Sequence, residues 1–378
     1  MFGLYVHIPF CNAICSYCDF YKMKVSPSFQ KKVIDALIKE FGHYRNIKQK
    51  IDTVYIGGGT PSCLSNELLD TLLTRLDSFV EEINGRDALK EYTFEMNPED
   101  ISHNKLTLLK KHHISRISVG AQSFDERIHK VIGRVTEYHD FKNKIDMIKE
   151  HGFNNINIDF MYGILPEAYY GINDLEEDLN KIISCGPNHI SCYSLILEEK
   201  TILGEKAKNG LYQRPTEEFE ALCYEKIRDN LSINGFFQYE TSNFARKGFE
   251  SLHNLIYWNN DEYIGIGPSS AGYINGIRYK VVSNINTYLK EISDGIIPME
   301  KEVLSESDKM EYEIILGLRK VNGISEKTFF NKFHKNLLEV YPKITEMIEK
   351  GYLVKRNDNI FLKAEYYYVQ NYIISEII

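Results

Sequence analysis

The sequence predicts an α/β protein: a partial (β/α)6 barrel followed by a mainly helical, winged-helix-like C-terminal domain. Strand and helix patterns alternate six times before residue 200, and the alternation stops after residue 197. Polar or glycine-rich motifs follow several of the predicted strands. Regular alternation favours parallel strands with crossover helices, and ligands of such folds bind at the carboxyl ends of the strands. The motifs should therefore meet at one end of the barrel.

Each predicted strand is a short, mostly apolar run, and each predicted helix carries apolar residues three and four positions apart. The strands are predicted at residues 4–8, 53–56, 92–96, 116–119, 155–160 and 189–195. Helices are predicted at residues 29–41, 102–112, 136–152 and 174–184, and a further helix is predicted to begin after an N-cap at Ser65.

The second half of the chain has a different organisation. Residues 201–215 resemble a linker, residues 216–233 form a predicted helix, and residues 238–273 are rich in glycine, asparagine and aromatic residues. From about residue 301 the pattern gives three helices, a short hairpin and a last helix. We therefore predict a barrel core over residues 1–200, a linker helix and aromatic-rich segment over 201–300, and the winged-helix-like domain over 301–378.

The composition argues against several classes of protein. The net charge of -8 disfavours a general nucleic-acid binder and an electrostatic attachment to anionic lipid. The sequence has no run of 18 apolar residues, so no membrane segment is predicted, and its first residues lack the basic region of a signal peptide. Three of the seven cysteines lie within eight residues, which is not a disulfide pattern. We therefore expect reduced thiols and a cytoplasmic protein.

Cys11, Cys15 and Cys18 form a CxxxCxxC motif shortly after the first predicted strand. Thiolates select iron–sulfur clusters or zinc, and three of them can hold a [4Fe–4S] cluster with one iron left open. A structural zinc site is the alternative, but it needs a fourth ligand, and the other cysteines are isolated in the sequence. Unrelated buried cysteines are a further alternative.

Longer motifs give the chain a family resemblance. The chain contains, in this order, YVHIPFC, YCDF, GGGTPS, EMNPE, SVGAQSF, IDFMYGILP, YETSNFA and HNLIYW. Together with the cysteine spacing, these motifs resemble the radical-SAM superfamily, its oxygen-independent coproporphyrinogen III oxidase family and, within that family, the HemW-type haem chaperones. The resemblance covers nearly the whole chain. It implies a radical-SAM barrel with a [4Fe–4S] cluster, S-adenosylmethionine (SAM) and haem as cofactors.

The resemblance also implies site residues. Cys11, Cys15 and Cys18 match the cluster ligands. The residues that match SAM contacts are Tyr5, Gly58, Gly59, Thr60, Glu95, Gln122, Arg134, Asp159 and Ala271. The alternative interpretation is an ordinary turn for Gly58 and Gly59, a solvated strand end for Glu95 and for Asp159, and a surface ion pair for Arg134. His253 of HNLIYW is the haem candidate, with a hydrogen-bonded core histidine as its alternative.

Two features favour the chaperone branch over the oxidases. The oxidases usually have a further cysteine two residues after the third one, where this chain has Phe20, and a longer extension before the motif. The predicted function is a haem chaperone that passes haem to an acceptor protein, without coproporphyrinogen oxidase activity. The alternatives are a radical-SAM oxidase that decarboxylates porphyrinogen propionates, and a radical-SAM enzyme on a non-porphyrin small substrate. A peripheral contact with membrane proteins is left open, and no nucleic-acid partner is predicted.

Overall fold

A computed structural model describes residues 1–85 and 87–378, and its centre is a parallel sheet. The six strands occur in chain order across the sheet, each hydrogen-bonded to the next. They are β1 Gly3–Ile8, β2 Thr53–Gly58, β3 Glu91–Met96, β4 Arg116–Gln122, β5 Ile156–Tyr162 and β6 His189–Ser194. The predicted α/β class with a parallel, barrel-like core is confirmed.

Crossover helices cover the outer face of this sheet. They are α1 Pro27–Phe41, α2 Asn66–Asn84, α3 His103–Lys111, α4 Glu126–Ile132, α5 Tyr138–Glu150 and α6 Ile172–Ser184. The predicted cap is present, because the Ser65 hydroxyl accepts a hydrogen bond from the Leu68 N–H at the start of α2. Apolar faces of these helices pack against outward-facing strand residues such as Val54, Phe94 and Ile117, which are fully buried.

The inward-facing strand residues are polar, which is unusual for parallel strands buried on both sides. Strand register places Tyr5, Tyr55, Thr93 and Arg116 side by side in one row. A row nearer the carboxyl ends contains Glu95 and Ser118, and Ser118 pairs in turn with Asn157. We call the interior of the barrel, which these rows line, the lumen. A lumen with polar walls is better suited to bind a polar ligand than an apolar interior would be.

After β6 the chain adds short elements to both edges of the sheet. They are α7 Ile202–Lys208, α8 Glu217–Ile233, β7 Phe237–Gln238, β8 Asn243–Ala245, α9 Leu252–Trp258, β9 Tyr263–Ile266, β10 Ala271–Ile274, β11 Ile277–Val281, α10 Ile285–Ser293 and β12 Met299–Val303. β8 pairs with β6, and β9 pairs parallel to β1 at the opposite edge. The sheet therefore has twelve strands, in the order β12-β11-β10-β9-β1-β2-β3-β4-β5-β6-β8-β7.

One sequence expectation needs correction here, and one element of the sheet was missed. The segment 201–215, expected as a linker, contains the helix α7, whose N-terminus is capped by the Thr201 hydroxyl. The extension of the sheet by β9 was not predicted, because a four-residue strand bounded by Gly267 gives a weak periodic signal.

The last part of the chain is mainly helical, as predicted. It contains α11 Glu306–Gly317, β13 Ile324–Ser325, α12 Glu326–Phe333, α13 Leu337–Val340, α14 Lys343–Glu349, β14 Leu353–Arg356, β15 Asn359–Leu362 and α15 Gln370–Ile377. The three strands form a separate small sheet in the order β13-β15-β14. The boundaries at residues 200 and 300 remain a prediction, and β12 spans the second of them. None of the helices that the structure describes has the length and apolar character needed to cross a membrane.

Candidate functional site

The cysteine motif lies on a loop that follows β1 at its carboxyl end. The start of this loop is tied to its end, because the Cys11 N–H donates to the Met23 carbonyl at 3.1 Å. Its middle is tied to the end of α4, where the Ser16 N–H donates to the Ile132 carbonyl at 2.9 Å. The Lys22 ammonium donates to the carbonyl of Cys18 at 2.5 Å. These bonds fix the loop over the mouth of the lumen.

The three thiols fit a cluster better than a single ion. Cys11 is buried, and Cys15 and Cys18 are half-buried. Within the described residues no three or more His, Cys, Asp or Glu side chains converge closely enough to hold one metal ion, as zinc would require. Thiolates that bind different irons of one cluster do not need to converge in this way. Burial raises the pKa of Cys11 to about 11, so metal binding has to displace its proton.

The glycine motif at the end of β2 is required by the protein's own packing. Gly58 has a φ of +113°, and a Cβ there would lie 2.6 Å from the ring of His7. A Cβ on Gly59 would lie 2.5 Å from the carbonyl oxygen of Phe10. The expectation from the sequence was that glycine gives space to a ligand. The structure adds that it lets the end of β2 pass close to β1 and the cysteine loop.

One cavity of about 520 Å³ lies at the carboxyl end of the barrel. Ten of the thirteen predicted site residues line it. They are Cys11, Cys15, Cys18, Gly58, Gly59, Thr60, Glu95, Gln122, Arg134 and Asp159. These residues come from five strand ends or following segments, separated by up to about 150 positions in the chain. Their convergence makes the cavity the candidate functional site.

The floor of the cavity carries two half-buried carboxyl groups, Glu95 and Asp159. Glu95 accepts hydrogen bonds from the Tyr55 hydroxyl at 2.6 Å and from the Gly58 N–H at 3.3 Å. Asp159 accepts one from the Asn157 amide at 2.7 Å. Burial raises the pKa of Glu95 to about 7 and raises the pKa of Asp159 above its ordinary value. Neither residue is a solvated strand end, which was their alternative interpretation.

Gln122 and Arg134 form one wall of the cavity. Gln122 ends β4 with a φ of +67°, a conformation that is uncommon for non-glycine residues. Its side-chain oxygen accepts a hydrogen bond from the Tyr193 hydroxyl at 2.7 Å. The Arg134 guanidinium donates to the Gly120 carbonyl at 2.8 Å, while its buried Nε has no partner among the described residues. Because Arg134 lines the cavity, its guanidinium is a candidate partner for an anionic ligand group.

Tyr5 and Ala271 are not among the residues that line the cavity. Tyr5 faces the lumen, where its hydroxyl hydrogen-bonds His7 Nδ1 at 2.9 Å. Ala271 is exposed at the start of β10, beyond β9, so the structure gives no support to its predicted adenine-side contact.

His253 lies at the opposite end of the barrel from the cysteines. Its ring is fully buried, with Nδ1 hydrogen-bonded to the Thr53 hydroxyl at 2.7 Å and Nε2 to the Tyr257 hydroxyl at 2.8 Å. Burial, and then the charge of Arg116, lower the pKa of His253 to about 3, so the ring is neutral. In this conformation neither nitrogen is free to bind iron. The arrangement matches the alternative of a hydrogen-bonded core histidine.

Sequence reasoning missed several residues that line the cavity. Tyr193 at the end of β6 and Lys22 on the cysteine loop were not singled out, and Ser242 and Asn243 were noted only as part of YETSNFA. Tyr193 could have been found, because it ends a predicted strand as the other contacts do. The side-chain neighbours of Lys22 could not be deduced from spacing alone.

The comparisons with known proteins show the family of the chain. The profile of the radical SAM superfamily matches residues 5–182, and that of the HemN C-terminal domain matches residues 304–365. The chain is 38% identical over 363 residues to the heme chaperone HemW of Lactococcus lactis, with 95% of this chain and 92% of the relative covered. It is 35% identical over 367 residues to the heme chaperone HemW of Bacillus subtilis, with 96% and 95% covered.

A solved structure supports the fold. Coproporphyrinogen III oxidase (HemN) from Escherichia coli, described as a radical SAM enzyme, superposes with a TM-score of 0.84. The match covers 100% of this chain and 89% of that chain, at 18% sequence identity. The likeness at this identity shows that the two chains share a fold.

Proposed function

The chain belongs to the HemW family of radical SAM proteins, and from this premise we propose that it is a haem chaperone that binds haem and transfers it to an acceptor protein. Its cofactors are a [4Fe–4S] cluster, SAM and haem. The observation that carries the cofactor site is the convergence of the three cysteines and seven predicted SAM contacts on one cavity. The haem function rests on the family, since the relatives at 38% and 35% identity are heme chaperones.

Cys11, Cys15 and Cys18 are the proposed cluster ligands, and the cluster supplies an iron with an open position for SAM. Glu95 and Asp159 offer acceptors to the cationic groups of SAM, and Arg134 offers a donor to its carboxylate. Tyr5 and Ala271 stay proposed contacts from the resemblance alone. That SAM exchanges freely at this site is also part of the proposal.

The proposed haem contact is His253 in HNLIYW. A bond from this histidine to haem iron requires the loss of its hydrogen bond to Thr53 or to Tyr257. α9 therefore has to shift when haem binds, or haem has to bind elsewhere. A cytoplasmic location and a peripheral contact of the chain with membrane proteins remain part of this proposal.

The test is anaerobic reconstitution followed by parallel titrations with SAM and with haem. The wild type should take up about four irons per chain and bind both ligands saturably. Cys15→Ala should lose the iron and keep haem binding. Absence of saturable haem binding by the wild type would refute the chaperone function, and absence of iron uptake would refute the cluster.

The second candidate function is coproporphyrinogen oxidation, favoured by the shared fold with HemN. Phe20 lines the cavity mouth and is 69% exposed at the position where the oxidases usually have a cysteine. We expect the reconstituted protein to form no protoporphyrinogen from coproporphyrinogen. Efficient turnover in that assay would replace the chaperone with the oxidase.

A further inference from the structure

Arg116 is the largest fully buried side chain of the chain's described part, at 2% exposure. It begins β4 and lies in the lumen row that also contains Tyr55 and Thr93. Its Nε has no hydrogen-bond partner among the described residues. An arginine stays charged at any ordinary pH, and an isolated buried charge is costly. A buried arginine is expected where its charge interacts with ionisable groups nearby.

The groups above it are the two carboxyls of the cavity floor. Glu95 and Ser118 occupy the next row of the lumen, and Asp159 pairs with Gly120 one step further along β4. The hydrogen bonds found for these carboxyls come from neutral donors, namely Tyr55, the Gly58 N–H and Asn157. Burial raises their pKa values, and the charge of Asp159 raises that of Glu95 further, whereas the Arg116 charge lowers the pKa of both carboxyls.

From this arrangement we propose that Arg116 is a positioning residue for the cofactor site. From below the cavity floor, its charge favours the ionised forms of Glu95 and Asp159 and thereby raises the affinity of the cavity for cationic SAM. The inference rests on the proposed function, because it requires SAM in this cavity. Arg116 is absent from the cavity lining and acts through the carboxylates.

The other titratable groups around the two carboxyls differ from Arg116, which is a permanent charge below the cavity floor. Arg134 is the second cation near Asp159, and it approaches from the cavity side, where a ligand carboxylate would compete for it. Burial and the charge of Arg116 lower the pKa of His189 well below its ordinary value, so this ring carries no charge. The Cys192 thiol and the phenols of Tyr5, Tyr17, Tyr55, Tyr193 and Tyr257 also lie near the carboxyls, and all have raised pKa values and are neutral. Glu91, two residues before Thr93 on the same face of β3, is a further buried acid, and its carboxylate accepts from the Leu252 and His253 N–H groups.

The proposal predicts a specific pH dependence of SAM binding. In the wild type, affinity should fall as the pH drops through about 7, where Glu95 takes up a proton. In Arg116→Gln the midpoint, the pH at which SAM affinity is half lost, should rise by about one unit. This is the lower end of the pKa shift that a nearby opposite charge causes. If binding needs the carboxylate, SAM affinity at pH 7 should then be about five-fold weaker than in the wild type. The two proteins should bind equally at pH 9.

The experiment is calorimetric titration of the reconstituted holoprotein with SAM from pH 6 to pH 9. Arg116→Lys keeps the charge and should restore a midpoint near the wild type's. Arg278→Gln is the matched control, because Arg278 also has a buried, unpartnered Nε but lies between Tyr273 and Tyr312 on the far side of the sheet. S-adenosylhomocysteine lacks the sulfonium charge but keeps the α-ammonium, so its affinity should fall less than that of SAM in the same comparison.

An unchanged midpoint in Arg116→Gln, or equal losses for SAM and S-adenosylhomocysteine, would overturn the inference and leave the proposed function standing. If Arg116→Gln does not fold, Glu95→Gln replaces it and should abolish the fall in affinity near pH 7. A fall that persists in that variant overturns the inference as well. A wild type that binds no SAM at any pH would overturn the SAM part of the proposed function, and this inference with it.

Discussion

Replacing His253 with alanine should destabilise the protein strongly even in the absence of haem. The imidazole is fully buried and hydrogen-bonded through both nitrogens, and it packs against the Tyr55 ring at 5.2 Å between centroids. Removing it leaves a cavity and two hydroxyls without their partner. One unsatisfied buried hydroxyl costs about 1–3 kcal/mol, and the cavity adds to this, so we expect a loss of about 3–5 kcal/mol.

The assay is urea unfolding of the haem-free protein followed by circular dichroism. Tyr257→Phe removes only the Nε2 partner and should cost about 1 kcal/mol. His43→Ala is the control, because His43 is exposed in the turn after α1 and should change stability by less than about 0.5 kcal/mol. A His253→Ala variant as stable as the control would refute the structural role. If His253→Ala is destabilised, weakened haem binding by this variant is not by itself evidence that His253 is a haem ligand.

Three further outcomes are expected. Cys18→Ala should take up less than one tenth of the wild-type iron under anaerobic reconstitution while Cys63→Ala takes up all of it, and equal uptake by both would contradict the ligand assignment. Gly58→Ala should destabilise the fold by about 2–4 kcal/mol, because its φ is positive and the new Cβ meets His7. Gly210 also has a positive φ but has open space around it, so the control Gly210→Ala should cost about 1 kcal/mol. Urea unfolding compares the two variants. Burial raises the pKa of Glu40 from 4.5 to about 7, so its contribution to stability is greatest below pH 4.5 and is lost as the pH rises to 7. The difference in unfolding free energy between wild type and Glu40→Gln should therefore change by ~3 kcal/mol over that window. A difference that stays constant with pH would contradict the shift.

The barrel could be predicted because its signals are local. Each of the six strands lies within about three residues of its predicted range, and the α2 and α8 starts are fixed by Ser65 and Thr216, whose hydroxyls accept from the first turn of the helix. The site residues were named from the family resemblance, and the rule that the carboxyl ends of parallel strands meet predicted that they would lie together. Ten of the thirteen line the same cavity.

The parts that sequence reasoning missed depend on long-range pairing. β9 joins the parallel sheet beside β1, although some 255 residues separate the two strands and its four residues show no clear period. The burial of His253 has the same origin. Its environment is made by Thr53 of β2 and by Glu91 of β3, whose carboxylate accepts from the Leu252 and His253 N–H groups at the start of α9. No property of HNLIYW itself shows that this helix closes the barrel.

The position of α9 also bears on the choice between chaperone and oxidase. Thr53, which holds His253, begins β2, and Gly58, which lines the cofactor cavity, ends it. Five steps along a strand separate these residues by roughly 17 Å. A porphyrin oxidised by radical-SAM chemistry has to meet SAM in the cavity, whereas a haem bound by His253 would lie at the other end of the lumen. If His253 contacts haem, haem and SAM therefore occupy separate sites, and cluster chemistry in the cavity cannot reach the porphyrin without its release.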